Sequence, residues 1–262
     1  MFKQRFWTAL ILIPLVLLLM KYANAWILGE LTLMLVMIAG WEWLALVPVV
    51  TRRGQCLFFV VLCACIWICM HFLYVWLVMG LLMWGAIAIA VLTYPGSERF
   101  WGKPWVVSGA CFLLVPLAYV ASVAIYQKPQ GFDLMMYLFA LVWATDIGAY
   151  LAGKQWGSYR LIPKVSPGKT IEGALGGIIL AMIVAGFSMI WFAPSSRLLW
   201  FGCAFCTVLV SIVGDLFVSM LKRRCQLKDT GALFPGHGGV LDRMDSFIAA
   251  APFFYVGQIF WP

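Results

Sequence analysis

Long apolar segments alternate with short polar connections along the whole 262-residue chain. A helix that crosses a bilayer needs roughly 20 predominantly apolar residues. Nine segments reach or approach that length, at residues 7–20, 26–49, 56–70, 74–94, 106–126, 134–153, 173–192, 198–221 and 247–260. The first, third and last of them are short. The pattern predicts an all-α fold, that of a polytopic integral membrane protein with about nine transmembrane helices.

The composition supports this prediction, because hydrophobic residues make up 65% of the chain and the mean hydropathy is +0.99. An ordinary soluble domain contains only about 45–50% apolar residues. Lys3 and Arg5 precede the first apolar segment, as in a signal peptide, but no small-residue cleavage site follows it. We therefore expect the first segment to be retained as a membrane helix.

Lysine and arginine residues fall mainly on one predicted side of the membrane. With a cytoplasmic N-terminus, nine spans place fifteen of the 18 cationic residues inside and only Lys21, Lys128 and Arg197 outside. Because cytoplasmic connections are enriched in these residues, we expect a cytoplasmic N-terminus in a bacterial inner membrane. The net charge of +8 then lies at the cytoplasmic face, where it attracts anionic lipids and nucleotide phosphates. Nucleic acid is not an expected partner, since the chain has no soluble basic domain.

The chain is uneven, although no long linker, repeat or low-complexity tract divides it. Residues 1–130 are mostly plain hydrophobic helices, and residues 131–262 carry nearly all the charged motifs. We interpret the chain as a single membrane domain made of an N-terminal helical bundle and a catalytic half. The eight cysteines lie mostly in apolar spans, and we expect them to act as small packing residues.

The densest cluster of charge lies at residues 219–245, which read SMLKRRCQLKDTGALFPGHGGVLDRMD and which we term the signature segment. A hydrophobic helix runs directly into Lys222, Arg223 and Arg224, and a glycine-rich turn leads to a second group of charges. Cations suit phosphate groups, carboxylates spaced i, i+3 suit a divalent metal, and glycines let backbone N–H groups approach an anion. The segment therefore predicts a phosphate-binding and metal-binding site where a membrane helix meets water.

Asp215 lies about two helical turns before the end of the same helix. It shares a helix face with Ser219 and with a cation at i+7 or i+8. A carboxylate inside a span is costly and is by default a functional hypothesis. We expect Asp215 to bind a divalent metal together with Asp242 and Asp245. The alternative is an intramembrane aspartate that a neighbouring lysine or arginine neutralises.

A second candidate region begins with Asp146, near the end of the sixth span, and continues into a polar loop. Ser166, Lys169 and Thr170 bring hydroxyls and a cation together, directly before a helix start whose backbone N–H groups favour an anion. A Walker A loop is excluded, because its first glycine is missing. A plain basic membrane loop is the alternative to a phosphate site. Glu42, which lies between two tryptophans, is either a structural carboxylate or a cavity-lining one.

Three motifs, in order along the chain, resemble those of the phosphatidate cytidylyltransferases, also called CDP-diacylglycerol synthases. They are D-x-G-A-Y from Asp146, S-P-x-K-T-x-E-G from Ser166, and S-x-x-K-R-x4-K-D-x-G-x-x-F-P-G-H-G-G-x-x-D-R-x-D from Ser219. The predicted topology agrees with that family along the whole chain. The resemblance implies a CTP-dependent nucleotidyltransferase of phospholipid biosynthesis, which converts CTP and phosphatidate to CDP-diacylglycerol and pyrophosphate with Mg²⁺.

The resemblance also implies roles for residues in a polar cavity that faces the cytoplasm. Mg²⁺ is held by Asp215, Asp242 and Asp245, and a second cation is left open. The residues expected to bind phosphates or to take part in catalysis are Asp146, Ser166, Lys169, Thr170, Asp215, Ser219, Lys222, Arg223, Lys228, Asp229, His237 and Arg243. For His237, a structural role in the glycine turn is the alternative. CTP, phosphatidate and the membrane are the expected partners, and a homodimer is left open.

Two other functions remain open from the sequence. A CTP-dependent lipid kinase of the dolichol or phytol type would share the membrane topology and the use of CTP, but would transfer the γ-phosphoryl group to an alcohol. An ion-coupled transporter would also place aspartates in the membrane, although the carboxylates here crowd one face and no inverted repeat is visible. The CDP-alcohol phosphotransferases are excluded, because their D-G-x-x-A-R…G-x3-D-x3-D motif is missing.

Overall fold

A computed structural model describes residues 17–47, 51–233 and 238–260 of the chain. The described residues form mainly long helices joined by short connections. In chain order the elements are α1 (Ala25–Trp43) with a 3₁₀ turn (Leu44–Leu46), α2 (Arg52–His71), α3 (Leu73–Leu92), α4 (Glu98–Trp101), α5 (Pro104–Tyr126), α6 (Gly131–Trp156), β1 (Arg160–Ile162), β2 (Ser166–Thr170), α7 (Ile171–Phe192), α8 (Arg197–Arg224) and α9 (Leu241–Phe260). Residues 17–22, before α1, are also helical.

Several helices begin where a polar side chain caps the first turn. Asn24 Oδ1 accepts a hydrogen bond from Ile27 N at 2.9 Å at the start of α1. Thr51, Thr170 and Ser196 cap α2, α7 and α8 in the same way. Such caps satisfy backbone N–H groups that have no partner within the helix, and each is typically worth about 1 kcal/mol. The polar residues between apolar segments thus help to fix where the helices begin.

Seven helices in the described part of the chain are long and apolar enough to cross a membrane: α1 with its 3₁₀ turn, α2, α3, α5, α6, α7 and α8. This confirms the prediction of an all-α membrane protein but not the count of nine spans. Most of the predicted first span, 7–20, lies outside the described residues. The predicted ninth span lies in α9, which is helical throughout but carries Asp242, Arg243 and Asp245 near its start and is not among the seven.

The connection between α6 and α7 contains a short β-hairpin that the sequence did not predict. β1 and β2 pair antiparallel, with Arg160 opposite Thr170 and Ile162 opposite Ser166. Strands of three and five residues are too short to show a clear alternation of apolar and polar positions, and so the sequence indicated only a polar loop. The hairpin gives this part of the chain a defined geometry, and Lys169 lies on its second strand.

The core is organised around α5, which is the most buried of the seven candidate spans. It packs against α1, α2, α3, α6 and α9, and its buried side chains are mostly leucine, valine and alanine. On one side of this centre α8 packs closely on α9, and α6 packs closely on α7. The candidate site lies where these two helix pairs meet.

Glycines allow α6 and α7 to approach each other closely. A Cβ atom added to Gly148 would lie 2.6 Å from the carbonyl oxygen of Gly176 and 2.9 Å from the Cα atom of Gly177. Small residues let helix backbones come near each other in a membrane, where lipid removes the hydrophobic drive for association. Because Gly148 follows Asp146 by two residues, this contact fixes the position of Asp146 relative to α7.

The connections that follow α1, α6 and α8 meet at one end of the helix bundle. The carbonyl oxygen of Leu46 accepts a hydrogen bond from Arg224 Nη2 at 3.1 Å, and that of Val165 accepts one from Arg223 Nε at 3.2 Å. At the other end, the Tyr126 hydroxyl donates to the segment before α1. These contacts agree with the predicted alternation of connections between the two ends.

Large apolar side chains lie on the outside of the bundle. Trp26, Ile190 and Leu198 are 81%, 77% and 83% exposed. Soluble monomers rarely expose large contiguous apolar patches, because such patches favour association. An apolar outer surface of this kind suits contact with lipid chains.

Candidate active site

A cavity of about 400 Å³ opens where α6, α7, α8 and the hairpin meet. Asp146 from α6, Lys169 from β2 and Asp215 from α8 all line it. The sequence predicted each of these three as a site residue, and the fold brings them together from three separate elements. The cavity therefore combines carboxylates with a cation, which is the composition expected of a site for a metal-bound phosphate.

Asp215 and Lys169 form a direct ion pair in this cavity. The Ser219 hydroxyl donates to Asp215 Oδ1 at 3.4 Å, in agreement with the predicted shared helix face. The side chains of the ion pair are 28% and 30% exposed, so that water and small ligands can reach both of them. The sequence suggested that a cation on the same helix would lie beside Asp215. In the structure this cation is Lys169, which comes from the hairpin.

A glycine on α8 brings a second carboxylate close to Asp215. Helix α9 passes so near that a Cβ atom added to Gly214 would lie 2.6 Å from the carbonyl oxygen of Asp245. Asp245 is buried, and its carboxylate interacts electrostatically with Asp215 and Lys169. The close contact between α8 and α9 therefore places two carboxylates beside one ammonium group.

Asp146 adds a third carboxylate to this group. Its side chain is exposed to the cavity and interacts electrostatically with Asp215, Lys169 and Arg243. Three acidic groups in one place repel one another unless cations lie among them. The local charge therefore favours the binding of an additional cation.

Asp242 lies in the first turn of α9 and has different partners. Its Oδ1 atom pairs with Lys222 Nζ at 2.7 Å, and its Oδ2 atom accepts hydrogen bonds from Thr230 N at 2.9 Å and Gly239 N at 3.0 Å. Burial alone would raise the pKa of this carboxyl group, but these bonds to its charged form outweigh burial and lower the pKa. Asp242 is therefore held as a carboxylate that fixes the loop between α8 and α9.

Glu42, whose role the sequence left open, lies buried beneath that same loop. Its Oε1 atom accepts a hydrogen bond from Val240 N at 3.0 Å, and its Oε2 atom accepts bonds from Leu241 N at 2.7 Å and the Thr230 hydroxyl at 3.3 Å. Glu42 also lines an open cavity of about 670 Å³ beside α1. Glu42 therefore both makes structural contacts and lines a cavity. Its three hydrogen bonds to the loop and to the start of α9 are the more specific of these two features.

Of the remaining predicted residues of the signature segment, one makes a structural contact and three are exposed. Arg223 fastens the hairpin to α8 through its hydrogen bond to the carbonyl oxygen of Val165. Lys228 and Asp229 are exposed. Arg243 is also exposed. His237 lies outside the described residues, so its role stays a prediction.

The turn before α9 requires a glycine at position 238. Gly238 has a φ of 79°, a left-handed conformation that L-amino acids with a Cβ atom rarely adopt. A Cβ atom there would also lie 2.8 Å from Asp242 Oδ2 and 3.3 Å from Asp229 Oδ1. The turn can therefore wrap closely around these two carboxylates only with glycine at this position.

Ser166 and Thr170 lie at the two ends of β2. The Thr170 hydroxyl accepts a hydrogen bond from Gly173 N at 3.1 Å and caps α7, and the residue is buried. Ser166 is partly exposed. Thr170 therefore has a structural contact in addition to its place in the lining of the cavity, and phosphate binding by either hydroxyl stays a prediction.

The carboxylates fit a divalent metal in part. Mg²⁺ prefers carboxylate oxygens, and Asp215 and Asp245 provide them side by side. Asp242 has both oxygens engaged by Lys222 and by backbone N–H groups. Among residues 17–47, 51–233 and 238–260, no three histidine, cysteine, aspartate or glutamate side chains form a ready metal-binding group. The metal set Asp215, Asp242 and Asp245 therefore stays a prediction.

A further cavity, of about 300 Å³, is lined almost entirely by apolar side chains of α1, α5, α6 and α9 and by residues before α1. Arg243 and Met244 also line it. Gly29 lies in its wall, and a Cβ atom added there would meet nothing within 4 Å. An apolar cavity next to a cation suits a ligand with an apolar tail and an anionic head.

Two residues that shape the site were not assigned from the sequence. Glu42 could be noticed as a carboxylate within an apolar segment, but its partners are almost two hundred positions away. Gly214 gave no signal, because it is one of 24 glycines and its effect depends on the helix that packs against it.

The chain is similar to a family of cytidylyltransferases and to several bacterial proteins with that activity in their names. The sequence model of the cytidylyltransferase family matches residues 3–260. A phosphatidate cytidylyltransferase of Pseudomonas aeruginosa is 37% identical over 267 residues, which cover 97% of this chain and 96% of that protein. One of Haemophilus influenzae is 40% identical over 65% of this chain and 64% of its own length, and one of Staphylococcus aureus is 40% identical over 55% and 56%.

Proposed function

The chain belongs to the cytidylyltransferase family, and on that premise we propose that it is a phosphatidate cytidylyltransferase. It would make CDP-diacylglycerol and pyrophosphate from CTP and phosphatidate. The observation that most supports this is the cavity that joins Asp146, Lys169 and Asp215 at one end of a bundle of apolar helices. A soluble polyanion and a lipid phosphate can meet only at such a boundary between membrane and water.

The reaction replaces one phosphoanhydride bond with another. A phosphate oxygen of phosphatidate forms a bond to the α-phosphorus of CTP, while the bond from that phosphorus to the oxygen that bridges to the β-phosphate breaks. Pyrophosphate leaves with the electron pair of that bond. Because phosphatidate itself supplies the nucleophile, the protein has to align the substrates and neutralise charge, and no covalent protein intermediate is needed.

Lys169 and Lys222 are the two cations best placed to bind phosphate groups. Each is paired with a carboxylate, Asp215 or Asp242, and each can exchange that partner for a phosphate oxygen. Once Lys169 has exchanged its partner, Asp215 and Asp245 would be able to hold a divalent cation. Asp242 joins this set only if it exchanges its contact with Lys222. When bound, Mg²⁺ neutralises charge on the phosphate groups.

Arg243 connects the polar and the apolar cavity. It interacts electrostatically with Asp146 in the first and lines the second. We place the phosphate group of phosphatidate near Arg243 and one acyl chain in the apolar cavity of about 300 Å³. This arrangement directs the lipid phosphate toward the cavity that contains Lys169.

The membrane topology belongs to the same proposal. We propose nine spans, with the N-terminus and the site on the cytoplasmic side of a bacterial inner membrane. Seven apolar helices, the helical continuation at α9 and the common end shared by the connections after α1, α6 and α8 support it. A cytoplasmic site would give direct access to soluble nucleotide.

The experiment that tests the proposed function follows the α-phosphorus of CTP. Purified protein is given α-labelled CTP, phosphatidate and Mg²⁺, and the lipid and soluble products are separated. We expect the label in a lipid product and an equal amount of pyrophosphate. Label recovered only in soluble CDP, with a lipid alcohol as the acceptor, would assign the protein to the lipid kinases instead. No consumption of CTP would favour a transporter.

A further inference from the structure

Glu42 joins α1 to the loop between α8 and α9 and to the start of α9. The Thr230 hydroxyl donates to it from within this loop, and the backbone N–H groups of Val240, the last loop residue, and Leu241, the first residue of α9, also donate to it. These partners are 188, 198 and 199 positions from Glu42 in the sequence. The side chain is 6% exposed, so that its carboxylate depends on these three donors for stabilisation.

The loop is shaped to fit the Glu42 carboxylate. The three atoms nearest to a Cβ atom added to Gly231, or to one added to Gly239, all belong to the Glu42 side chain, and the added atom would overlap with them. These two glycines lie in separate parts of the loop, and both leave room for the carboxylate. The closest contacts at both positions are therefore those with Glu42.

The end of α1 that carries Glu42 is itself firmly anchored. The indole N–H of Trp43 donates to the carbonyl oxygen of Val107 in α5 at 3.1 Å. The carbonyl oxygen of Leu46 accepts hydrogen bonds from Arg224 at 3.1 Å and from Cys225 at 3.4 Å. Hydrogen bonds thus hold the end of α1 that carries Glu42 against α5 and against the end of α8.

Contacts of Glu42 lead directly to the carboxylates of the site. The backbone N–H group of Leu241 donates to Glu42. Asp242 follows Leu241 directly, and Asp245 lies about one turn further along α9. Thr230 also donates its backbone N–H to Asp242. A negative charge at a helix N-terminus is favourable, because the helix dipole and the unpaired N–H groups point toward it. Glu42 therefore determines where α9 begins.

We propose that Glu42 is a positioning residue that holds the start of α9 so that Asp242 and Asp245 face Lys222 and Asp215. It acts through the backbone of residues 240 and 241 and not through the substrate. The activity measurement below rests on the proposed function, whereas the measurement of hydrogen exchange does not.

The first test is Glu42→Gln, with Glu30→Gln as its matched control. Glu30 is an exposed glutamate on the same helix. We expect Glu42→Gln to lower kcat by about 10- to 100-fold, since small displacements of reacting groups have large effects. The KM for CTP should change less than kcat, because Glu42 affects Lys222 only through its partner Asp242, and Lys169 and Asp146 lie on other elements. Hydrogen exchange at residues 240 and 241 should become faster, and Glu30→Gln should change none of these.

The second test is a double-mutant cycle that uses the fit of the loop. Gly231→Ala should lower kcat in the natural sequence, because the added methyl group overlaps with Glu42. In the Glu42→Ala background there is room for this methyl group, and Gly231→Ala should then cause little further loss. Gly186→Ala, at a glycine with nothing within 4 Å of an added Cβ atom, serves as the control.

The outcomes separate positioning from a general structural role. Normal kcat and unchanged exchange at residues 240 and 241 in Glu42→Gln would overturn the proposal, as would equal losses from Gly231→Ala in both backgrounds. If neither Glu42 variant is recovered folded, the kcat and local exchange of Gly231→Ala against Gly186→Ala decide the question. If the natural sequence shows no cytidylyl transfer and Glu42→Gln still speeds exchange at residues 240 and 241, the positioning role is supported and the proposed function is refuted.

Discussion

Paired charges organise the site at the scale of single residues. Lys169 on β2 pairs with Asp215 on α8. Lys222 on α8 pairs with Asp242 on α9. Removing one member of a partly buried pair leaves the other without compensation, which is costly. Substitutions that remove charge but keep shape, such as aspartate to asparagine, are therefore more informative than truncations.

We expect Asp215→Asn and Asp242→Asn each to lower turnover by at least about 100-fold, as for loss of a group that stabilises developing charge. The folded protein should survive, because asparagine keeps one oxygen acceptor for Ser219 or for the N–H groups of the loop. Cytidylyl transfer is measured across a range of Mg²⁺ concentrations. Asp133→Asn, in the first turn of α6, is the control. Near-normal activity of either variant at low Mg²⁺ would show that the carboxylate is not a metal ligand.

The sequence was better at grouping the candidate residues than at predicting their contacts. Asp146, Lys169 and Asp215 were predicted and do share a cavity. Helical spacing gave the contact of Asp215 with Ser219, because both lie on one helix. It could not give the contact with Lys169, which arrives on a hairpin 46 positions earlier, since spacing within one helix contains no information on other elements.

At the scale of elements, the site depends on how closely α8 and α9 pack. We expect Gly214→Ala to destabilise the protein by about 1–3 kcal/mol, because the added methyl group overpacks this contact. It should also lower turnover, since it separates Asp215 from Asp245. Thermal unfolding in detergent and cytidylyl transfer provide the two measurements.

Gly202→Ala on the same helix is the matched control for this substitution. A Cβ atom added there meets nothing within 4 Å, and alanine in a helix is favoured over glycine by about 0.5–1 kcal/mol. Gly202→Ala should therefore keep or slightly raise stability without loss of activity. Equal behaviour of the two variants would show that the contact at Gly214 does not position Asp245.

The apolar cavity leads to a prediction about the lipid substrate. Gly29→Phe should fill part of this cavity and raise the KM for long-chain phosphatidate by about 10-fold or more, as for loss of space in an apolar binding pocket. The KM for CTP should not change. Gly85→Phe, at an exposed glycine of α3 with free space around it, is the control. An unchanged KM for phosphatidate in Gly29→Phe would place the acyl chain elsewhere.

At the scale of the whole molecule, the positions of the long helices were predictable, because the bilayer requires long apolar segments to be helical. Backbone groups inside lipid must be satisfied internally, so a long apolar segment becomes a helix, and the apolar pattern located seven such helices. Their arrangement was not predictable, because it depends on local fits such as that of Gly148 against α7. The hairpin was also missed, since strands of three and five residues are too short to show an alternation of apolar and polar positions.

The proposed sidedness can be tested on whole cells. In a cysteine-free background, single cysteines at the exposed positions Arg99, Ser158 and Lys228 should be protected from impermeant thiol reagents. A cysteine at the exposed Gln127 should react. Permeabilised cells, in which all four positions should react, provide the control. Labelling of positions 158 and 228 from outside would reverse the orientation and place the site away from cytoplasmic CTP.

The long reach of the Glu42 contacts has a consequence for biosynthesis. Residue 42 enters the membrane long before the ribosome has made residues 230–241, which donate its hydrogen bonds. Until then its carboxylate lacks the three donors that stabilise it in the complete fold, and burying it without partners would be strongly unfavourable. The α1 helix therefore reaches its final environment only after α9 has been translated. A chain truncated before residue 230 lacks all three donors and therefore cannot bury Glu42 as the complete chain does.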